Sequence, residues 1–266
     1  MTAAITRRTF LAAAGVAAAL GRLRAASPWP IGVESYCFHD VDFAATIART
    51  KQLGLTAIEL HDGHLPRDSP PATLASAKQA LSAAGIIPRG VYIHDAFSES
   101  DAVARPIFEY ARTVGFGYIN GGPRRESLPL LDRLAPEYGV RIAIHNHGPK
   151  ARYETVEDVL SAIEGRPHLA ACVDIGHFAR SAVDPAVAIR RIGRRAIAVH
   201  VKDVTAAGDN IVVGKGTIDI PAVFAALRET GFDGLLVLEY EGDFDDMEKR
   251  MRGMEESLRA IERFLA

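Results

Sequence analysis

Residues 170–201 read AACVDIGHFARSAVDPAVAIRRIGRRAIAVHV, and this stretch decides the fold. A short apolar run at 170–175 is followed by an amphipathic run at 185–192 and a second apolar run at 196–201. Short β-rich runs alternating with amphipathic helical runs build a parallel sheet with its helices outside. The same unit recurs in both directions along the chain. Strands are expected at 31–38, 57–60, 87–93, 118–121, 141–145, 170–175, 196–201 and 235–240. Helical patterns lie between them at 43–53, 73–84, 102–114, 128–138, 156–163, 185–192, 221–230 and 245–265. Gly54, Gly85, Gly115, Gly139 and Gly231 follow helical runs, where a left-handed cap favours glycine. Asp42, Thr155 and Asp219 stand at N-cap positions. Eight such units in about 235 residues predict an α/β fold, a single closed (β/α)8 TIM barrel, over an open doubly wound sheet. The first strand is not followed by Gly-x-Gly-x-x-Gly, which weighs further against a dinucleotide fold.

The 266-residue chain is 48% hydrophobic and 24% charged, a globular composition. Its formal charge of −2 opposes nucleic acid or an anionic membrane as a partner. That total hides an asymmetry. Residues 1–26 carry Arg7, Arg8, Arg22 and Arg24 and no acid, so the remainder holds −2 less +4, or −6. The run Thr6-Arg7-Arg8-Thr9-Phe10-Leu11, followed by small and apolar residues to Leu20, resembles a twin-arginine export signal. Phe10 to Leu20 is too short for a permanent span, and no other apolar run approaches 18 residues. The expected division is a signal peptide at 1–26 and the barrel at 27–266, with no membrane span in the mature chain. The partner this implies is the twin-arginine export machinery, and the location is periplasmic or extracellular. No clean small-x-small cleavage site precedes Pro28, so an uncleaved anchor stays open. That route carries folded proteins, often with a metal or cofactor already loaded. Cys37 and Cys172 lie far apart in apolar runs and are expected as free buried thiols.

The nine histidines are His39, His61, His64, His94, His145, His147, His168, His177 and His200. All but His168 fall at, or shortly beyond, the C-terminal end of an expected strand, the rim on which barrel active sites are assembled. Glu59, Asp95, Asp174, Asp203, Glu239 and Glu241 share that rim. Residues i and i+2 of a strand face the same way. Glu59/His61, His145/His147, His200/Lys202 and Glu239/Glu241 are therefore same-face pairs at four strand ends. A carboxylate such as Glu239, closing an apolar run, is costly unless paired or bound to a cation. Carboxylates and imidazoles converging on one mouth make a divalent-metal site the economical solution. Gly214-Lys-Gly216 reads as a tight turn before an anion cradle.

Ile142-Ala-Ile-His145-Asn-His147-Gly, Cys172-Val-Asp174-Ile-Gly-His177, Val199-His200-Val-Lys202-Asp203 and Leu238-Glu239-Tyr-Glu241 resemble strands five to eight of the xylose isomerase-like TIM barrels. More narrowly they resemble the sugar phosphate isomerase/epimerase group, which includes ketose 3-epimerases and inosose dehydratases. Leu53-Gly-Leu-Thr-Ala-Ile-Glu59-Leu fits the group's second strand. The resemblance implies one divalent ion held by Asp174, His200 and Glu239, with His145 at the strand-five position. Epimerases have glutamate where this chain has His145. Nitrogen in place of oxygen, with one negative charge fewer, moves the preference toward Zn, Co, Ni or Fe(II), with Mn still open. It also removes one of the two proton-exchanging carboxylates, so His147 or His94 becomes the expected second base. The catalytic candidates are thus Glu239, His147 and Lys202, and the substrate contacts Glu59, His61, His94 and His177.

The expected chemistry is proton abstraction α to a carbonyl of a small-molecule sugar. Reprotonation gives a sugar isomerase or epimerase acting on a non-phosphorylated keto-sugar or related polyol. Expulsion of a β-substituent gives the alternative, a lyase or dehydratase acting on 3-keto-glycosides or inososes. A third reading, of a different class, is a non-catalytic exported sugar-binding protein. The abasic-site endonucleases of the superfamily are opposed by the acidic mature chain. Related barrels often pair, so a homodimer is an open expectation.

Overall fold

Each of the eight apolar runs forms a strand. The computed structural model describes residues 27–93 and 100–265, so the export signal expected at 1–26 and the pair His94 and Asp95 lie outside the described residues. In chain order the strands are β1 (Ile31–Glu34), β2 (Ala57–His61), β3 (Ile87–Tyr92), β4 (Tyr118–Gly121), β5 (Arg141–His145), β6 (Leu169–Asp174), β7 (Ala196–Val201), the short pair β8 (Asp203–Val204) and β9 (Asn210–Ile211), and β10 (Leu235–Leu238). The barrel closes in the order β1-β10-β7-β6-β5-β4-β3-β2, with every neighbouring pair parallel. Outside it run α1 (Phe43–Gln52), α2 (Pro71–Ala83), α3 (Asp101–Val114), α4 (Leu128–Tyr138), α5 (Val156–Ile163), α6 (Ile175–Arg180), α7 (Pro185–Ile192), α8 (Ile220–Thr230) and α9 (Met247–Leu265). The fold is the expected (β/α)8 barrel, and α9 packs against α8 and β10 as its closing helix.

The three expected N-caps all work. Asp42 accepts from Ala45 N, Asp219 from Ala222 N, and Thr155 forms a reciprocal box with Asp158. Two departures from the sequence reading share one reason. The first strand stops at Glu34 because its carboxylate accepts Tyr36 N and folds Ser35–Phe38 into a 3-10 turn. Likewise Asp174 ends β6 and accepts His177 N, starting α6 where the reading expected only loop. In both cases a carboxylate at a strand end bonds its own backbone, which is a local alternative to the sheet ladder. The pair β8 and β9 was not expected either.

Most of the core lies between barrel and helices. A separate cluster fills the barrel's interior: Ala57, Tyr118, Ala143, Cys172, Ala198, Leu235 and Val237. Eight strands enclose just enough room for such side chains, so the interior is a plug and not a pore. Tyr118 fits because β3 offers Gly90 opposite it; a Cβ there would lie 2.2 Å from the tyrosine ring. Both cysteines are free and buried, as expected.

Candidate metal centre

Strand alternation sets the site directly above this plug. Ala143, Cys172, Ala198 and Val237 point inward, so the residues two positions on do too: His145, Asp174, His200 and Glu239. One ligand atom from each of these four lies within 4.8 Å of every other, and all four residues are buried. His145 Nε2 is 3.4 Å from His200 Nδ1 and 3.7 Å from Asp174 Oδ2. His200 Nδ1 is 2.6 Å from Glu239 Oε2.

The electrostatics suit ligation. Burial, helped by the neighbouring His200, holds the His145 ring well below the usual histidine pKa, so it is a neutral donor. Burial works against ionising Asp174 and Glu239, but Lys202 and the neighbouring imidazoles together outweigh it and keep both carboxyls below their ordinary range. Lys202 Nζ stands 3.0 Å from Asp174 Oδ2, 2.9 Å from Glu239 Oε2 and 3.2 Å from Glu241 Oε2. Asp174 Oδ2 is nonetheless buried without a well-directed hydrogen bond. That oxygen, paired with the Lys202 ammonium and 3.7 Å from the neutral His145 ring, fits a bound cation. Two nitrogens and two oxygens form a donor set for a borderline divalent ion. A second combination, His145, Cys172 and His200, is equally close. Burial pushes the Cys172 thiol up to about 12, which opposes the thiolate that ligation there would need.

Glu59 occupies a different place from the one expected of a substrate contact. It is fully buried and off the cavity wall. Its Oε1 is 2.8 Å from His200 Nε2 and accepts Asn120 Nδ2 at 2.8 Å; its Oε2 accepts Tyr118 OH at 2.6 Å. Glu59 therefore stands behind His200 and fixes its ring, the usual partner of a metal-binding histidine. Lys202 is also buried and off the cavity wall, so it positions the three carboxylates around it.

The cavity above has a volume of about 410 Å³. His61, His147 and His177 line it, together with the ligand candidates His145, His200 and Glu239. His147 and His177 stack with ring centroids 3.8 Å apart. Arg180 Nη1 donates to His177 Nδ1 at 3.2 Å, and burial lowers the His177 pKa to about 4, so this ring is neutral. Gly214-Lys-Gly216 is a turn: Gly214 N and Gly216 N both donate to Asp203 Oδ2, leaving no cradle for an outside anion.

Three residues of the cavity wall escaped the sequence reading: Glu34, Tyr36 and Tyr92. Glu34 carried the same signal that singled out Glu239, an acid closing an apolar strand. It went unseen because the first strand was expected to run on to residue 38.

A sequence profile described as Xylose isomerase-like TIM barrel matches residues 124–264. The rhizopine catabolism protein MocC of Rhizobium meliloti is 30% identical over 174 residues, 58% of this chain and 52% of MocC. An inosose dehydratase of Clostridium beijerinckii is 27% identical over 137 residues, 44% of this chain and 46% of that protein. The chain thus spans about half the length of the curated relatives it matches. Among solved structures, the IOLI protein crystallised with a zinc atom superposes with a TM-score of 0.72 at 17% identity, covering 89% of this chain and 97% of that one. At that identity the superposition speaks for the fold. Barrel, site geometry and profile agree: the chain belongs to the xylose isomerase-like TIM barrel family.

Proposed function

We propose that this protein is a divalent-metal-dependent enzyme that removes the proton α to a carbonyl of a non-phosphorylated keto-sugar or related polyol, as an isomerase or epimerase. One observation carries the reading. The buried set of His145, Asp174, His200 and Glu239 lies at a cavity with further imidazoles in its wall. A purely structural ion is saturated by protein ligands and has no use for that cavity.

The four ligands would hold the ion, which supplies charge stabilisation for the oxyanion developing on the substrate. Glu239 is kept ionised by Lys202 and borders the cavity, so it can accept the carbon-bound proton. His147 sits at the exposed mouth and can exchange a proton with solvent. His177, oriented by Arg180 through Nδ1, presents Nε2–H, a donor for a substrate oxygen. The residues expected to touch substrate are thus His61, His147, His177 and Glu239, and the arginine pair at 7 and 8 supports a substrate met outside the cytoplasm.

A lyase is the second reading, favoured by a particular feature. His145 leaves the cavity without the second metal-binding carboxylate of a symmetrical two-base epimerase, while the His147–His177 pair offers imidazoles that could assist a departing group. The likeness to an inosose dehydratase supports the same branch. Incubation of the metal-loaded protein in D2O with keto-sugars, inososes and 3-keto-glycosides separates the two. Deuterium entering the α carbon without elimination supports the epimerase; release of water or aglycone supports the lyase. Absence of both from every substrate, with metal bound, removes the enzyme reading.

A further inference from the structure

The four candidate ligands come from one arc of the barrel, β5, β6, β7 and β10. The neighbouring arc, β1 to β3, adds Glu34, Tyr36, His61 and Tyr92 to the wall. Glu34 is 2% exposed and carries an unusual burden there. Its Oε2 is fixed by Tyr36 N at 2.5 Å, which locks the carboxyl in place. Its Oε1 is buried with no hydrogen-bond partner. Buried polar atoms are nearly always satisfied, and one left open at a cavity wall points to a partner that arrives with the ligand.

The rings beside it give that ligand a shape. His61 and Tyr92 stack with centroids 5.7 Å apart and planes 25° apart, and Tyr36 lies 5.2 Å from His61. Together these rings give one side of the cavity an aromatic wall, with Tyr36 tilted 42° from His61. Aromatic faces carry partial negative charge and attract the weakly positive C–H edge of a ring. A pyranose or cyclitol presents such a C–H face with hydroxyls around its rim, whereas an open-chain polyol has no face to offer.

We propose that Glu34 is a substrate-recognition carboxyl, pairing through Oε1 with a ring hydroxyl of a cyclic polyhydroxy substrate whose flat face lies on the His61–Tyr92 pair. The proposal rests on the sugar reading above only for the chemistry of the ligand, and it narrows that reading to rings. Glu34 and the ligand set then divide the work: one arc recognises the ring, and the other holds the ion beside its carbonyl.

Binding of unreactive polyols to the metal-loaded full-length protein tests this. The probes are myo-inositol and methyl glucopyranoside as rings and sorbitol as the open chain, titrated by calorimetry. Glu34→Met, which keeps bulk but not polarity, is expected to bind both rings about tenfold more weakly, the effect of one lost hydrogen bond to a carboxyl. Its metal content is expected to stay at the wild-type level. Sorbitol is expected to bind the wild type more weakly than either ring. Where Glu34→Met fails to fold, Glu34→Gln takes its place, with an expected loss of at least threefold. Ring binding unchanged by the substitution, sorbitol binding as tightly as the rings, or no polyol bound by the wild type would each overturn the proposal. Glu34-dependent ring binding without deuterium exchange would remove the enzyme reading and leave the recognition role standing.

Discussion

Replacing Glu59 by Gln probes the support behind the metal centre without touching a ligand. Glu59 Oε1 lies 2.8 Å from His200 Nε2 and also accepts Asn120 Nδ2, while Oε2 takes the Tyr118 hydroxyl at 2.6 Å. A glutamine fills the same volume but has only one acceptor oxygen for three donors. Its amide group must face either Tyr118 OH or the pair of His200 Nε2–H and Asn120 Nδ2. If it keeps Tyr118, two donors meet donors; if it flips, His200 keeps a partner and only Tyr118 must turn its hydroxyl. Either arrangement weakens the charge-assisted contact that orients His200. Loss of such a supporting carboxylate typically costs about 10–100-fold in metal affinity. That is roughly 1.4–2.8 kcal/mol at 1.4 kcal/mol per tenfold. The assay is competition between the protein and a chelating dye for Zn or Co, run beside thermal melting of the metal-free form. A metal affinity within twofold of wild type, in a protein that melts normally, would refute the assignment of Glu59 as the residue that positions His200.

Further predictions follow from neighbouring contacts. Gly90→Ala places a methyl group 2.2 Å from the Tyr118 ring, so it is expected to lower stability by about 1–3 kcal/mol and to weaken metal binding through Glu59. Melting and metal titration of the one variant read both effects. His145→Glu is expected to retain an ion while shifting preference toward Mn and Mg; unchanged metal preference and activity would show that histidine there does not alter the chemistry. Asp40, 41% exposed, pairs with the fully buried Arg250 at 2.8 Å, so after solvent screening Asp40→Asn is expected to destabilise the fold by about 1 kcal/mol near neutral pH. Arg250 lowers the Asp40 pKa in the folded state. The wild-type advantage is therefore full above the unfolded aspartate value of about 3.9 and fades as pH falls through the folded value. Denaturant titrations of both proteins at pH 3 and pH 7 show this as two curves that converge only in acid.

Much of this molecule was legible in its sequence, because barrel strands are short and apolar and their ends are polar. The alternation at 170–201 forecast β6, α7 and β7 to within a residue or so, and the family resemblance of the strand ends grouped Asp174, His200 and Glu239 with His145 as one ligand set, which the structure gathers on one inward face. What failed depended on depth and not on direction. Glu59 and His61 do point the same way, but Glu59 lies one layer lower, beneath the cavity, where only three-dimensional packing distinguishes a supporting carboxylate from a contact. Lys202 was likewise on the right face, with its ammonium group turned into the carboxylates and away from the cavity. Glu34 was hidden by a strand that ended early, since a side chain capping its own next turn leaves no trace in hydrophobic periodicity.

The central claim is that four strand ends hold one catalytic divalent ion. Cobalt titration of the metal-free protein, followed by visible absorption and by cobalt retained per chain, tests it most directly. Saturation is expected at one ion per chain, with a spectrum of mixed nitrogen and oxygen ligation that Asp174→Ala and Glu239→Ala each abolish. Tight cobalt binding that survives both substitutions, or no stoichiometric binding by the wild type, would contradict it.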